Sequence, residues 1–147
     1  MDDPPLHVLL VEDDDVHAMM VEKGFRAADK NGTIDRVCDG LEAVAYVKRQ
    51  GEYRKRPRPS MILLDLKLPR MDGHGVLRVL KADDELKSIP VVVLTTSDAD
   101  KDVAETYRLH ANSYLVKPAN YAKFRELVGA VTSYWGEWNR PPLETGS

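Results

Sequence analysis

Five short apolar segments, separated by stretches with helical spacing, constrain the fold of this chain more than any other feature. Between these segments, apolar residues recur every three or four positions, which is typical of amphipathic helices. Strands and helices that alternate in this way favour a parallel sheet covered by helices on both faces, with right-handed crossovers. We therefore predict an α/β fold of five βα units, with strands near residues 7–11, 33–38, 61–64, 90–95 and 112–116.

Aspartates and apolar faces define the predicted helices. The second and third helices are expected to begin after Asp39-Gly40 and Asp72-Gly73, because an aspartate side chain can cap the first turn of a helix. The first and last helices have apolar faces that consist of Met20, Val21, Gly24, Phe25 and Ala28, and of Phe124, Leu127, Val128, Val131 and Trp135. Each of these helices can pack one face on the sheet and leave the other in water.

Carboxylates stand directly after two of the apolar segments. Glu12 and Asp13 follow the first segment, and Asp65 follows the third. Because ligand sites in parallel α/β sheets lie at the carboxyl ends of the strands, we expect these side chains to meet in one pocket. Crowded carboxylates repel one another unless a cation lies between them. The sequence therefore predicts a divalent-cation site at this edge of the sheet.

Thr95 ends the fourth apolar segment and Lys117 directly follows the fifth, so both are expected at the same edge. A carboxylate such as Asp65 can attack phosphorus when the phosphoryl oxygens are neutralised and aligned. Lys117 would supply a positive charge for one phosphoryl oxygen, and the Thr95 hydroxyl would donate to another. Taken singly, these residues could be a helix cap, a strand threonine and a solvated lysine. Their joint occurrence favours phosphoryl chemistry at Asp65.

Four sequence blocks resemble the signature blocks of response-regulator receiver domains of two-component signalling. The resemblance spans about residues 7 to 132 and implies a flavodoxin-like, doubly wound parallel sheet of strand order 2-1-3-4-5. It divides the chain into an N-terminal tail (1–6), a receiver domain (7–133) and a C-terminal arm rich in aromatic residues and proline (134–147). The four blocks are Val11–Asp14, Leu64–Gly73, Val93–Ser97 and Tyr114–Pro118.

The resemblance also implies a role for each residue of the pocket. Asp65 would take a phosphoryl group from a phosphohistidine of a sensor histidine kinase. Mg²⁺ would be held by Asp13, Asp65 and the backbone carbonyl of Lys67, with Glu12 acting through a metal-bound water. Lys117 would pair with the phosphoryl group, and its peptide bond to the following proline would be cis.

Thr95 and Tyr114 are the switch pair in this resemblance. Phosphorylation adds about −1.5 to −2 of charge and strong acceptor oxygens, so Thr95 would be drawn towards Asp65. The Tyr114 ring could then enter the vacated space, which would change the surface near the fourth helix and fifth strand. The other interpretation of Tyr114 is an ordinary half-buried strand aromatic.

Lys67 distinguishes this function from its main alternative. Mg²⁺-dependent phosphohydrolases with an aspartyl nucleophile share the acid and the lysine, but they typically require a second aspartate where this chain has Lys67. An unphosphorylated docking scaffold would not need the acids, Thr95 and Lys117 together. We therefore expect a phosphoacceptor signalling protein and not an enzyme. Lys67 either shields the phosphoryl bond from water or is a solvated loop lysine. The phosphoryl group either stays on this protein or is passed on to a histidine phosphotransfer protein.

Composition narrows the classes of partner. A net charge of −3 gives no bias towards nucleic acid, and no stretch approaches the ~20 apolar residues of a membrane span, so we expect a cytoplasmic protein.

The single cysteine, Cys38, excludes a disulfide within the chain and is expected to be a small buried hydrophobe. The basic segment 51–59 is interpreted as a solvated linker or a kinase-docking loop.

The C-terminal arm suggests self-association. Aromatic residues are frequent interface anchors, and prolines stiffen an extended segment. The arm is predicted either to dock on a second copy, giving a homodimer through the fourth helix, fifth strand and fifth helix, or to fold back on its own domain. With the long basic loop, it resembles the single-domain regulators that serve phytochrome-type kinases, which points to a bacteriophytochrome as partner. The proposed interface residues are Tyr134, Trp135, Trp138, Pro141 and Pro142.

Overall fold

A computed structural model describes residues 5–140 and contains a five-stranded parallel sheet. The strands are β1 (His7–Val11), β2 (Thr33–Val37), β3 (Met61–Leu64), β4 (Val91–Thr95) and β5 (Ser113–Val116). The helices are α1 (Asp15–Ala28), α2 (Gly40–Val47), α3 (Gly73–Ala82), α4 (Asp100–Arg108) and α5 (Tyr121–Ser133). The strand order is β2-β1-β3-β4-β5, and every pair is parallel. The predicted flavodoxin-like fold is confirmed.

The three central strands are buried on both faces of the sheet. Their side chains alternate between two apolar cores, since successive residues of a strand point in opposite directions. Leu9, Ile62 and Val93 belong to the core under α2 and α3, whereas Leu10, Leu63 and Val92 belong to the core under α1 and α5. Full burial of one such side chain contributes about 1.5–3 kcal/mol. This two-sided burial explains why the strands are apolar throughout.

All five helices begin at the carboxyl edge of the sheet, and four of them have a side-chain cap. Asp14 caps α1, Asp39 caps α2, Asp72 caps α3 and Asn120 caps α5, in each case by accepting a hydrogen bond from a backbone N–H of the first turn. Such a cap contributes roughly 1 kcal/mol. α2 and α3 begin at Gly40 and Gly73, one residue earlier than predicted. The caps hold the loops that carry the pocket residues.

Three strand ends and one side chain differ from the sequence prediction. β2 ends one residue earlier than expected, and β4 and β5 each begin one residue later. Cys38 is exposed, so its assignment as a buried hydrophobe is wrong. The physical reason is that β2 is an edge strand that ends at Val37, which leaves Cys38 between the strand and the Asp39 cap.

The chain continues beyond α5 as a π-helical turn, Tyr134–Trp138. Trp135 packs on the core beneath α1 and α5, so this part of the arm contacts its own domain. Tyr134 and Trp138 are 53% and 76% exposed. Pro141 and Pro142 lie outside the described residues. Within residues 5–140, no helix combines the length and apolar content needed to cross a bilayer.

The basic segment between α2 and β3 is partly tied to the domain. Arg56 lies 3.6 Å from Asp35 of β2, and Arg58 donates to the Glu85 carbonyl at 2.6 Å. Arg54 and Lys55 are exposed. The segment therefore has both anchored and solvent-facing cations.

Candidate functional site

Two neighbouring strands bring three carboxylates to one point. β1 pairs with β3 so that Val11 lies opposite Leu64, and Glu12, Asp13 and Asp65 follow these two residues. Each of the three side chains offers a carboxylate oxygen within 4.8 Å of the other two. Glu12 and Asp65 are buried, whereas Asp13 is exposed. The result is an acidic cluster (Glu12, Asp13, Asp65) that is open to solvent on one side.

Lys117 places an ammonium group against this acidic cluster. Its backbone N–H donates to the Thr95 carbonyl at 2.7 Å, which holds the residue after β5 beside the end of β4. Its Nζ lies 2.5 Å from Glu12 Oε1 and 3.0 Å from Asp65 Oδ2. The side chain is only 2% exposed. Charge-assisted hydrogen bonds of this kind stabilise the ionised carboxylates.

The backbone around Asp65 fixes the direction of its carboxylate. The Leu66 N–H donates to Asp65 Oδ1 at 2.7 Å, so Oδ1 is held by the main chain while Oδ2 faces Lys117. The loop then folds closely over Asp65, because a Cβ at Gly73 would lie 2.5 Å from the Asp65 carbonyl oxygen. Glycine is the residue that permits this approach.

The acidic cluster retains excess negative charge. Burial raises the pKa of Glu12 to about 7, and the adjacent Asp65 carboxylate adds to this effect, although the hydrogen bond from Lys117 opposes it. Three carboxylates share one ammonium group. Mg²⁺ and similar ions prefer a few oxygen ligands completed by water, and the exposed Asp13 leaves room for water. These residues therefore fit a divalent cation.

Glu12→Gln is expected to remove a pH dependence of stability. The folded protein raises the Glu12 pKa from 4.5 to about 7, so it binds this proton more tightly than the unfolded chain does. The resulting stabilisation is complete below the unfolded pKa and is lost as the pH rises through the folded pKa. This change amounts to up to about 3 kcal/mol in the metal-free protein.

Urea unfolding of wild type and Glu12→Gln across this pH interval measures the effect. The difference in free energy of unfolding between the two proteins should grow in favour of the variant as the pH rises. Glu126→Gln, an exposed change on α5, is the matched control and should follow the wild type. A constant difference between wild type and Glu12→Gln would contradict the assignment.

The two predicted switch residues lie on adjacent strands. Thr95 ends β4 and is fully buried. Tyr114 lies on β5 opposite Val93 and donates its hydroxyl to the Ser97 carbonyl at 2.7 Å. Burial raises the pKa of Tyr114, which keeps the phenol protonated as a donor. The Tyr114 side chain thus connects β5 to the loop between β4 and α4.

Two further features of the pocket were predicted, namely the role of Lys67 and the isomer of the peptide bond after Lys117. Lys67 lies on the loop after β3 with an exposed side chain, and the ligand role of its carbonyl stays a prediction. No peptide bond in residues 5–140 is cis, so the expected cis bond between Lys117 and Pro118 is wrong. An X–Pro bond favours trans by only about 0.5–1 kcal/mol, so the surrounding structure and not the motif decides the isomer.

Two residues at the site were not among the sequence predictions. His17 lies in the first turn of α1, and its Nδ1 is 3.0 Å from Lys117 Nζ. Arg36 of β2 donates from Nε to the Glu12 carbonyl at 2.9 Å and lies 2.9 Å from Asp15. The position of His17 in the first turn of the helix that follows Glu12 and Asp13 was a usable signal, because that turn begins at the same edge of the sheet. The Arg36 contact depends on strand pairing and leaves no local pattern.

A protein-family model described as the response regulator receiver domain matches residues 8–129. The chain belongs to this family. Members of the family signal through phosphorylation, so this receiver domain is a response regulator that signals by phosphorylation, as the sequence predicted. The matched residues include the acidic cluster and Lys117.

Named relatives support the same conclusion for most of the receiver domain. The probable methanogenesis regulatory protein FilR2 of Methanothrix harundinacea is 44% identical, over 94% of this chain and 88% of its own length. The response regulator Rcp1 of Synechocystis is 42% identical, over 91% of each chain.

Solved structures agree closely with the receiver fold. The phosphorylated cyanobacterial phytochrome response regulator RcpA has a TM-score of 0.92 at 36% identity and covers 95% of this chain and 100% of its own. The Mn²⁺-bound form of Rcp1 has a TM-score of 0.90 at 41% identity, with the same coverage. The predicted resemblance to phytochrome-associated regulators is therefore confirmed.

Proposed function

We propose that this receiver domain accepts a phosphoryl group on Asp65 from a phosphohistidine of a sensor histidine kinase, with Mg²⁺ as the cofactor. The observation that carries the proposal is the position of the Lys117 ammonium group, between Glu12 and Asp65 and beside the exposed carboxylate of Asp13. That arrangement supplies a nucleophile, a positive charge for the phosphoryl oxygens and oxygen ligands for a cation.

Each residue has a defined part in the transfer. An Asp65 carboxylate oxygen attacks phosphorus while the P–N bond to the kinase imidazole breaks. Lys117 is within reach of Asp65 Oδ2 and donates to a phosphoryl oxygen, and Thr95 at the end of β4 offers its hydroxyl to another. Leu66 holds Asp65 Oδ1 through its N–H, which limits rotation of the carboxylate.

The acidic cluster would hold Mg²⁺ through Asp13 and Asp65, with the Lys67 carbonyl as a further ligand and Glu12 acting through water. When bound, the ion neutralises charge on the transferring phosphoryl oxygens. Support comes from the three converging carboxylates and from Rcp1, a relative whose structure has been determined with Mn²⁺. We propose Mg²⁺ because the open side of the cluster suits an ion that keeps several waters.

The proposed switch runs from Thr95 to Tyr114. A phosphoryl group on Asp65 attracts the Thr95 hydroxyl, and the space that Thr95 leaves is available to the Tyr114 ring. The bond from Tyr114 to the Ser97 carbonyl ties this ring to the loop that precedes α4. Movement of the ring would thus alter the surface formed by α4 and β5, where a target could bind.

The proposed partners follow from the donor chemistry and the relatives. RcpA is described as a phytochrome response regulator, which supports a bacteriophytochrome kinase as donor. An ATP-dependent donor implies a cytoplasmic location, and a histidine phosphotransfer protein could receive the group in a relay. We propose no nucleic-acid or membrane partner, since the net charge of −3 offers no general attraction to anionic surfaces.

A homodimer remains a second part of the proposal. Tyr134 and Trp138 are exposed in the π-helical turn that follows α5. Val116 of the edge strand β5 is 42% exposed. Light scattering on the full chain and on a chain that ends at Ser133 tests the dimer. We expect the full chain to be a dimer and the shortened chain to be a monomer. If both chains were monomers, the proposed dimer would be contradicted.

Phosphate transfer from purified sensor kinases tests the proposed function directly. We expect label on the receiver domain only in the presence of Mg²⁺, and we expect peptide mapping to place it on Asp65. Label on another residue, or no label from any histidine kinase or from acetyl phosphate, would contradict the proposal. Repeated turnover of a small phosphomonoester would favour a phosphohydrolase instead.

Lys67→Asn is expected to shorten the lifetime of the phosphorylated protein. The exposed ammonium group of Lys67, two residues after Asp65, would shield the phosphoryl bond from attacking water. We expect autodephosphorylation to accelerate several-fold, about the factor that ~1 kcal/mol produces. Loss of phosphate after removal of acetyl phosphate measures the rate. Lys101→Asn, at an exposed position on α4, is the control, and equal lifetimes for wild type and Lys67→Asn would refute the shielding role.

A further inference from the structure

The Lys117 ammonium group has three side-chain acceptors, and one of them is His17. Besides Glu12 Oε1 and Asp65 Oδ2, the Nδ1 atom of His17 lies 3.0 Å from Lys117 Nζ. A lysine ammonium group carries three protons. Every proton of this buried group therefore has an acceptor, and the acceptors lie in the loop after β1, the loop after β3 and the first turn of α1.

The contact determines the form of the imidazole. An ammonium group can only donate, so Nδ1 of His17 must accept, which places the ring proton on Nε2. His17 is thus a third acceptor beside the two carboxylate acceptors. It orients the ammonium group without adding negative charge to the acidic cluster.

Two elements hold the His17 ring in place. Its backbone N–H donates to Asp14 Oδ1 at 3.0 Å, in the cap of α1. Its ring packs on the Phe124 ring of α5, with centroids 5.9 Å apart and planes inclined by 37°. Phe124 is 1% exposed, so it provides a fixed wall for the imidazole. The position of His17 is therefore set by packing and by helix capping, independently of Lys117.

We propose that His17 is a positioning residue for phosphoryl transfer and acts through Lys117. With two protons of the ammonium group held by Glu12 and His17, the third remains directed at Asp65, where the phosphoryl oxygens must arrive. Without His17 the ammonium group can rotate, and part of its stabilisation of the transferring phosphoryl group is lost. This inference rests on the proposed function of Asp65.

Two substitutions at position 17 separate this role from a merely structural one. His17→Leu keeps an apolar body against Phe124 but removes the acceptor. His17→Asn keeps an acceptor, since its Oδ1 occupies nearly the position of Nδ1. At saturating Mg²⁺, we expect phosphorylation by acetyl phosphate, in which an Asp65 oxygen displaces acetate from phosphorus, to be about tenfold slower in His17→Leu. The asparagine variant should recover to within about threefold of wild type.

Mg²⁺ affinity provides an internal control, because His17 contacts Lys117 and not the proposed ligand oxygens. The dissociation constant should change by less than about twofold in both variants. A His17→Leu rate equal to wild type, or a His17→Asn rate as low as that of His17→Leu, would overturn the proposal. If wild type itself took up no phosphate, the proposed function would fail instead.

The wild-type protein also supplies a measurement that needs no variant and no metal. A long-range ¹H–¹⁵N NMR spectrum at about pH 8 should show His17 with the proton on Nε2 and none on Nδ1. A proton on Nδ1 would overturn the proposal, since that nitrogen could not then accept from Lys117.

Discussion

Asp65→Asn is expected to abolish phosphate uptake from both acetyl phosphate and a sensor kinase. The carboxamide keeps the size of the side chain, and its oxygen can still accept from the Leu66 N–H. It lacks the negative charge that makes the carboxylate a nucleophile and a metal ligand. Phosphate-affinity electrophoresis after incubation with acetyl phosphate and Mg²⁺ should therefore show no shifted band.

Asp72→Asn is the matched control for this experiment. Asp72 is exposed and caps α3, and asparagine caps a helix about as well as aspartate does. This control should be phosphorylated at the wild-type rate. Residual phosphorylation of Asp65→Asn, mapped to a second carboxylate, would show that Asp65 is not the sole acceptor.

Lys117→Met should destabilise the metal-free protein strongly. The methionine side chain is similar in length but leaves Glu12 and Asp65 buried without their ammonium partner. Loss of one partner from a buried ion pair costs about 3–5 kcal/mol. We expect a loss of about 3 kcal/mol in the free energy of unfolding without metal. Mg²⁺ at ~100 times its dissociation constant should stabilise the variant by about 2.7 kcal/mol, the same gain that one-site binding gives the wild type.

Urea unfolding with and without Mg²⁺ measures both effects. Lys23→Met, at an exposed position on α1, is the control and should change stability by less than about 0.5 kcal/mol. If the metal-free Lys117→Met protein were as stable as wild type, the ammonium group would not be the counter-charge of the acidic cluster. Phosphorylation of this variant should also be strongly impaired, because no cation replaces Lys117 at the phosphoryl oxygens.

The sequence predicted the fold well because apolar runs mark the three central strands, although the edge strand β2 contains Asp35 and Arg36. The sequence also predicted that Glu12 and Asp65 lie at one edge of the sheet, because the carboxyl ends of parallel strands all lie at that edge. The sequence also predicted the Asp39 and Asp72 caps, because capping is a local interaction between residues three apart.

Other features of the site depend on contacts between distant elements. His17 of α1 contacts Lys117, which lies 100 positions later after β5, and Arg36 reaches the Glu12 carbonyl because β2 pairs with β1. Cys38 was predicted to be buried from its apolar character. It lies beyond the end of the edge strand β2 and is exposed. The isomer of the bond after Lys117 is also set by its surroundings and not by its motif.

The contact between Lys117 and Glu12 joins residues 105 positions apart in the chain. During synthesis, the two acids after β1 emerge long before the lysine after β5, so a nascent chain carries the negative charges of the pocket without their counter-ion. Under the proposed function, a chain at that stage cannot take up phosphate, because Lys117 reaches the acidic cluster only once β5 has paired with β4.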